Sequence, residues 1–209
     1  MSGASDLMSD STAAAYDARA GEYIQVAGAI DQMADADRAL IAAWRDATPG
    51  RLVDAGCGPG LWSEKLHDGN RDILGVDLSA QFIAHARVTY PGVQFEQGSF
   101  AELPVQDASL GGILAWYSLI HAPPEDLPVI LAEFARALAP GGSVLIGFFD
   151  GAPRESFPHA ITTAYFWNAV ELSTLLEAAG FAVTASATRT RTRGEPSTRP
   201  HGHILATRN

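Results

Sequence analysis

Residues 52 to 60 read Leu-Val-Asp-Ala-Gly-Cys-Gly-Pro-Gly, an apolar strand that runs straight into a turn with glycine at three alternate positions. Gly56, Gly58 and Gly60 let the backbone adopt angles barred to other residues and let a ligand lie against bare peptide groups. Asp54, at the lip of the turn, is expected to face that ligand from the strand end. A second apolar strand, Ile73 to Val76, ends in Asp77. This is about as far downstream as α/β nucleotide sites place the carboxylate that holds a ribose. Two carboxylates on neighbouring strand ends suit a ligand with a ribose and a positive centre. A plain strand-to-helix connection would explain the glycines alone; Asp54, Asp77 and a third strand end at Gly98-Ser99 favour the ligand.

The rest of the pattern alternates. Strands are expected at 51–55, 72–76, 93–97, 110–117 and 143–149. Helices are expected at 13–30, 36–46, 61–67, from a Ser79 cap to Tyr90, at 124–138, and up to Gly180. In the helix from Pro124, Leu127, Ile130, Leu131, Phe134 and Leu138 form one apolar stripe. Pro140-Gly141-Gly142 is expected to break the chain before the fifth strand. Such alternation implies an α/β, Rossmann-like doubly wound sheet, mostly parallel, with helices on both faces. Strands near 181–193 and 203–207 follow each other without a helix and suit a hairpin at the sheet edge. Residues 1–12 read as a disordered tail, 1–35 as tail plus lid helix, and 36–209 as one domain.

Composition narrows the function. With 14 Lys+Arg against 24 Asp+Glu, the net charge of -10 opposes a nucleic-acid backbone. Arg189, Arg191 and Arg193 alternate with threonine and read as the solvated face of an edge strand, with Arg199 beyond them. The only cysteine, Cys57, rules out an internal disulfide and fits a reducing compartment. No leader is visible in the first residues and no apolar run reaches the ~20 residues of a membrane span, so a cytoplasmic location is expected. No Cys, His and carboxylate group has metal-ligand spacing.

The turn itself separates two ligand classes. A dinucleotide loop offers backbone N–H groups to a pyrophosphate, usually as G-x-G-x-x-G. Here the spacing is G-x-G-x-G, Pro59 has no N–H, and Asp54 would oppose a phosphate. An NAD(P)-dependent oxidoreductase is therefore the weaker alternative to a sulfonium nucleoside, which has no phosphate. Read in order, Asp-Ala-Gly-Cys-Gly-Pro-Gly, Gly-Val-Asp-Leu-Ser, Gln-Gly-Ser-Phe and Ala-Leu-Ala-Pro-Gly-Gly-Ser-Val-Leu resemble the class I S-adenosylmethionine-dependent methyltransferases. The likeness is to the small-molecule branch that includes quinone-ring and antibiotic-tailoring enzymes, and it spans about Tyr16 to Phe149.

The resemblance implies a seven-stranded sheet with an antiparallel last strand, and S-adenosyl-L-methionine as cofactor with S-adenosyl-L-homocysteine as product. It implies that Asp54 and the backbone of Gly56, Cys57, Gly58 and Gly60 face the methionine half. Asp77 would take the ribose hydroxyls, and Leu78 and Phe100 would border the adenine. Gly98 and Ser99 would lie beside it, with Ser99 where the family often has an aspartate. Tyr16, Arg19 and Tyr23, on one helix face, and Trp116 are further candidates for covering the cofactor. The aromatic alternative for that helix is packing on the core.

A sulfonium already activates its methyl group, so a protein of this kind mainly aligns an acceptor atom behind it in a dry site. An alcohol or phenol would also benefit from a base. His121, just beyond the fourth strand, is the candidate base or acceptor contact, against a structural or exposed histidine. Tyr117 and His159 are further acceptor candidates; His201 and His203 read as surface residues. Trp116, Tyr117, Phe148, Phe149, Phe157, Tyr165, Phe166 and Trp167 make an aromatic-rich region near the expected pocket. Pro123-Pro124 lacks the polar residue before it and the ring after it that base-amino methylation would want. The expected function is methyl transfer to an O, N or C atom of a small organic acceptor, with no nucleic acid or membrane partner. A cofactor-binding protein without turnover is the alternative.

Overall fold

The computed structural model describes residues 14, 16–21, 24, 33–159, 162–190 and 199–209. Expectations for the 1–12 tail, Tyr23, Arg191 and Arg193 lie outside them. Along the described residues the elements are α1 (Asp35–Ala47), β1 (Leu52–Ala55), α2 (Leu61–His67), β2 (Ile73–Asp77), α3 (Ala80–Thr89), β3 (Gln94–Gln97) and β4 (Leu110–Trp116). After a 3-10 turn at Leu119–His121 come α4 (Leu127–Ala137), β5 (Leu138–Phe149), β6 (Ser156–Pro158), β7 (Thr163–Tyr165), α5 (Ala169–Ala178), β8 (Phe181–Arg189) and β9 (His201–Arg208). Residues 16–21 are helical as expected.

Seven strands form one sheet in the order β3-β2-β1-β4-β5-β9-β8. All neighbouring pairs from β3 to β5 are parallel, and β9 runs antiparallel between β5 and β8. The expected antiparallel last strand and the edge hairpin are both present. Burial on both faces explains the unbroken apolar strands: in β1, Leu52 packs with Trp44 and Leu66, whereas its neighbour Val53 belongs to the core that holds Phe134 and Trp167. Ser79 caps α3, its Oγ accepting the Phe82 N–H at 3.1 Å.

Pro140-Gly141-Gly142 is a bulge inside β5 and not its beginning. Leu138 already pairs with Leu110, the register then shifts, and Gly141 takes φ +79°. The apolar neighbours on both sides keep the chain in the sheet across a break that local chemistry alone would end. Arg189 is also not a solvated edge residue, because its guanidinium donates to both carboxylate oxygens of Asp37 at 3.0 Å and ties β8 to α1. His201 is likewise a correction: at the start of β9 it is 8% exposed, turned inward beside Tyr117.

Because sequence order reverses between β1 and β4, their C-terminal ends diverge and leave a crevice, the place where open α/β sheets bind ligands. No helix among the described residues is long and apolar enough to cross a membrane.

Candidate active site

The turn after β1 is held by the strand beside it. The amides of Gly56 and Cys57 both donate to the Val76 carbonyl, at 2.8 and 3.0 Å. Gly56 at φ +78° passes so close to Ser118 that a Cβ would lie 2.3 Å from the serine Cβ, and only glycine satisfies both demands. Gly58 also has a positive φ, but its missing Cβ faces open space at the cavity. Gly60 serves packing instead, since a Cβ there would meet Phe95 and Ala86.

Asp77 closes the turn from the end of β2. One carboxylate oxygen accepts the Gly58 N–H at 2.8 Å and the other accepts the Ser79 N–H at 2.8 Å. Burial pushes the Asp77 carboxyl above the ordinary carboxylate value, while the two amide bonds oppose that rise by favouring the ionised form. Each oxygen retains a lone pair for a ligand hydroxyl. Asp54 behaves differently: it is 2% exposed and its carboxylate accepts the Ser63 hydroxyl at 2.7 Å, beneath the turn and away from the cavity wall. Burial pushes it up to about 7. Cys57 is buried and its thiol is pushed up, chiefly by burial, which suits a packing role and not a nucleophile.

One continuous cavity lies over this turn. Its floor brings together Gly56, Gly58, Asp77, Leu78, Ser99, Phe100 and Trp116, all expected from the sequence. Tyr16 from the N-terminal helix closes it, packed against Phe82 at 5.6 Å between ring centroids. Arg19 is exposed, and Arg19, Cys57, Gly60 and Gly98 lie outside the wall. Gly98 instead donates its N–H to the Asp77 carbonyl at 3.0 Å. Ser99 Oγ accepts the Ala101 amide at 3.1 Å, an internal turn bond. Ser118 Oγ is buried in the wall and has no hydrogen-bond partner among the described residues. A carboxyl group held by two amides, an open glycine position and an unsatisfied buried hydroxyl together suit a polar ligand in this crevice.

The other wall carries Tyr117, His121, Pro123, Asp126, Val129 and Ile130. His121 Nδ1 lies 2.9 Å from the Thr163 carbonyl and Nε2 lies 2.7 Å from Tyr16 Oη. A carbonyl only accepts, so Nδ1 carries the proton and Nε2 accepts from the tyrosine. Burial lowers the His121 value from the usual imidazole range and favours this neutral form. His159, in the β6–β7 connection, packs on His121 at 5.2 Å between centroids; burial, reinforced by His121 and Arg199, lowers it to about 4. It supports His121 from behind and does not line the cavity. Tyr117, at φ +55°, donates toward or accepts from His201 Nδ1, and its ring packs on Phe149. Phe148, Phe149, Phe157 and Trp167 are all core residues, and of these Phe149 packs on Tyr117 and Phe157 on His159.

Several wall residues carried a weaker sequence signal. Ser79 read only as a helix cap and Ile130 only as core. Val129 interrupts the polar side of α4, and its 64% exposure marks it as an apolar residue at the mouth. Ser118 gave no signal of its own, because its place depends on how closely Gly56 approaches.

A methyltransferase-domain family model matches residues 52–142, from β1 into the β5 bulge. A probable S-adenosylmethionine-dependent methyltransferase of Mycolicibacterium smegmatis is 33% identical over 135 residues, 63% of this chain and 52% of that protein. The chain spans about half or less of the length of the curated relatives it matches. Among solved structures, the [4+2]-cyclase SpnF superposes with a TM-score of 0.77 at 21% identity, covering 94% of both chains. A Burkholderia thailandensis 1,6-didemethyltoxoflavin-N1-methyltransferase, solved with its acceptor and S-adenosylhomocysteine, gives 0.72 at 23% identity over 97% of this chain and 87% of its own. The likeness at these identities is one of fold, and it agrees with the sheet order found here. Over residues 52–142 the chain is thus similar in sequence to a methyltransferase domain, and its fold is that of S-adenosylmethionine-dependent methyltransferases.

Proposed function

We propose that this protein transfers a methyl group from S-adenosylmethionine to an O, N or C atom of a small organic acceptor. The observation that carries the reading is Asp77, an amide-bonded carboxylate at the wall of a crevice floored by bare glycine backbone. Asp77 would hold the ribose hydroxyls, the Gly56–Gly58 backbone the methionine half, and Leu78, Ser99 and Phe100 the adenine side. Asp54 acts from below by fixing Ser63 and the start of α2. When bound, S-adenosylmethionine supplies an electrophilic methyl group that needs no protein nucleophile. Tyr16, Trp116 and Tyr117 would shield the crevice from water, and His121, which lines the same cavity, would serve as base or acceptor contact.

The net charge of -10 supports a small-molecule acceptor over a nucleic acid, and the lone cysteine is in keeping with a cytoplasmic setting. Calorimetric titration with S-adenosylhomocysteine and with NAD, in the wild type and in Asp77→Ala, tests the reading. Binding of S-adenosylhomocysteine that the substitution abolishes is expected; preference for NAD, or no binding, overturns it.

A further inference from the structure

Tyr16 and His121 line the cavity together, the tyrosine hydroxyl set on the imidazole Nε2, and this pairing bears on the acceptor itself. We infer that Tyr16 relays the acceptor's proton to His121, and that the acceptor is an uncharged aromatic molecule methylated on a phenolic hydroxyl. This deepens the methyltransferase reading and rests on it.

The relay follows from three fixed points. The Thr163 carbonyl can only accept, which commits the proton of His121 to Nδ1 and its lone pair to Nε2. That lone pair is already occupied by the Tyr16 hydroxyl at 2.7 Å, so an acceptor reaches the base through Tyr16 Oη. Tyr16 lines the cavity, whereas His159 and the Phe149–Phe157 wall pack behind His121. The proton path is thus acceptor oxygen to Tyr16 Oη, and Tyr16 proton to His121 Nε2. As the acceptor oxygen loses its proton it gains the methyl carbon, the carbon–sulfur bond breaks, and the sulfur keeps the electron pair. The unit of positive charge lost from the sulfonium reappears on the imidazolium.

Charge and lining select the acceptor. Among the described residues no lysine or arginine lines the cavity, while two carboxylates, Asp77 and Asp126, do. Arg199 lies behind the wall, 4.2 Å over the Phe157 ring, and donates to the Pro158 carbonyl. An anionic acceptor would enter with no protein cation to pair with it and against two carboxyl-bearing residues. A neutral amine needs no base before attack, and a base with a locked tautomer serves an acceptor that must lose a proton. Phe82, Phe100, Trp116, Tyr117, Val129 and Ile130 supply apolar and aromatic surface for a ring.

The decisive experiment is calorimetric titration of the S-adenosylhomocysteine-saturated protein with ring-matched pairs: phenol against benzoate, and 1-naphthol against 1-naphthoate. The phenols are expected to bind about tenfold or more tighter than the carboxylates. Equal or tighter carboxylate binding, or no phenol binding, overturns the acceptor class. Failure of S-adenosylhomocysteine to bind at all instead overturns the underlying reading, and this inference with it. For the relay, Tyr16→Phe keeps the ring and removes only the hydroxyl. Turnover of un-ionised phenols should fall about a hundredfold or more, with much less loss for a nitro-substituted phenol already ionised in mildly alkaline buffer. Nitrogen-15 chemical shifts of His121 should show Nε2 unprotonated in the wild type and altered in the variant. An equal loss on both acceptor types, or a proton on Nε2, assigns Tyr16 a purely structural role.

Discussion

The Gly58 amide and the Asp77 carboxylate meet at 2.8 Å, and this single bond joins the glycine turn after β1 to the acidic end of β2. With the Ser79 amide on its other oxygen, Asp77 is fixed in place before any ligand arrives, and the two amides offset part of the rise that burial imposes on its carboxyl. Asp77→Asn keeps the shape but sets an NH2 group against one of the two backbone N–H donors. Affinity for S-adenosylhomocysteine is expected to fall about 10- to 100-fold, in line with the ~1.5–3 kcal/mol of hydrogen bonds to a charged group. Calorimetry measures the loss; unchanged affinity in a folded variant removes Asp77 from the ribose site.

Two glycines two residues apart should fail in different ways. Gly56→Ala drives a Cβ to 2.3 Å from that of Ser118 at a backbone angle alanine resists. It is expected to destabilise the fold by about 2 kcal/mol or more, seen as a lower urea midpoint. At Gly58 the added Cβ meets nothing within 4 Å of protein, so Gly58→Ala bears only the αL penalty of about 1 kcal/mol. Its methyl group instead occupies cavity space, and ligand affinity should drop more than stability. The idea fails if Gly58→Ala unfolds more readily than Gly56→Ala.

The sheet, the glycine turn and the place of Asp77 at a strand end beside that turn were legible in the sequence because each rests on local chemistry. Two-sided burial writes uninterrupted apolar strands, positive φ asks for glycine, and an acid at a strand end has few structural uses. Asp54 shows the limit: an acid one strand away reads like Asp77, yet only the position of Ser63 in the folded protein shows that it points beneath the turn. His201 was misjudged for a related reason, since nothing within its strand reveals that Tyr117, 84 residues earlier, waits for it. The bulge at Gly141 likewise depends on what lies beside it. Pairings across the sheet leave no periodic trace along the chain.

Asp54 should leave a signature in the pH dependence of stability. Its folded value, pushed up to about 7, exceeds the ordinary carboxyl value of about 4, so the native protein binds the proton more tightly than the unfolded chain. Stability is then lost as pH rises from about 4 to about 7 and is level above that, where both states are ionised. Asp54→Asn preserves an acceptor for the Ser63 hydroxyl and removes the buried charge. The variant's stability relative to wild type is expected to climb across this window, by on the order of a few kcal/mol. Urea unfolding at a series of pH values checks it, and a flat difference would mean that Asp54 titrates normally.

Tyr117 holds φ +55° at the end of β4, an angle that is rare for a bulky side chain and costs on the order of 1–3 kcal/mol. Its hydroxyl meets His201 Nδ1 and its ring packs between Trp116 and Phe149, contacts that compensate for the backbone and aim the ring at the acceptor wall. Tyr117→Phe should cost about 1 kcal/mol through the lost bond, with the ring still in place. His201→Phe should lose the same bond from the other side. In a double-mutant cycle by urea unfolding, the two changes are expected to couple by about 1 kcal/mol, because the second removes an interaction already gone. Additive losses would show that the pair does not hold the strained turn, and that the ring packing alone keeps Tyr117 at the wall.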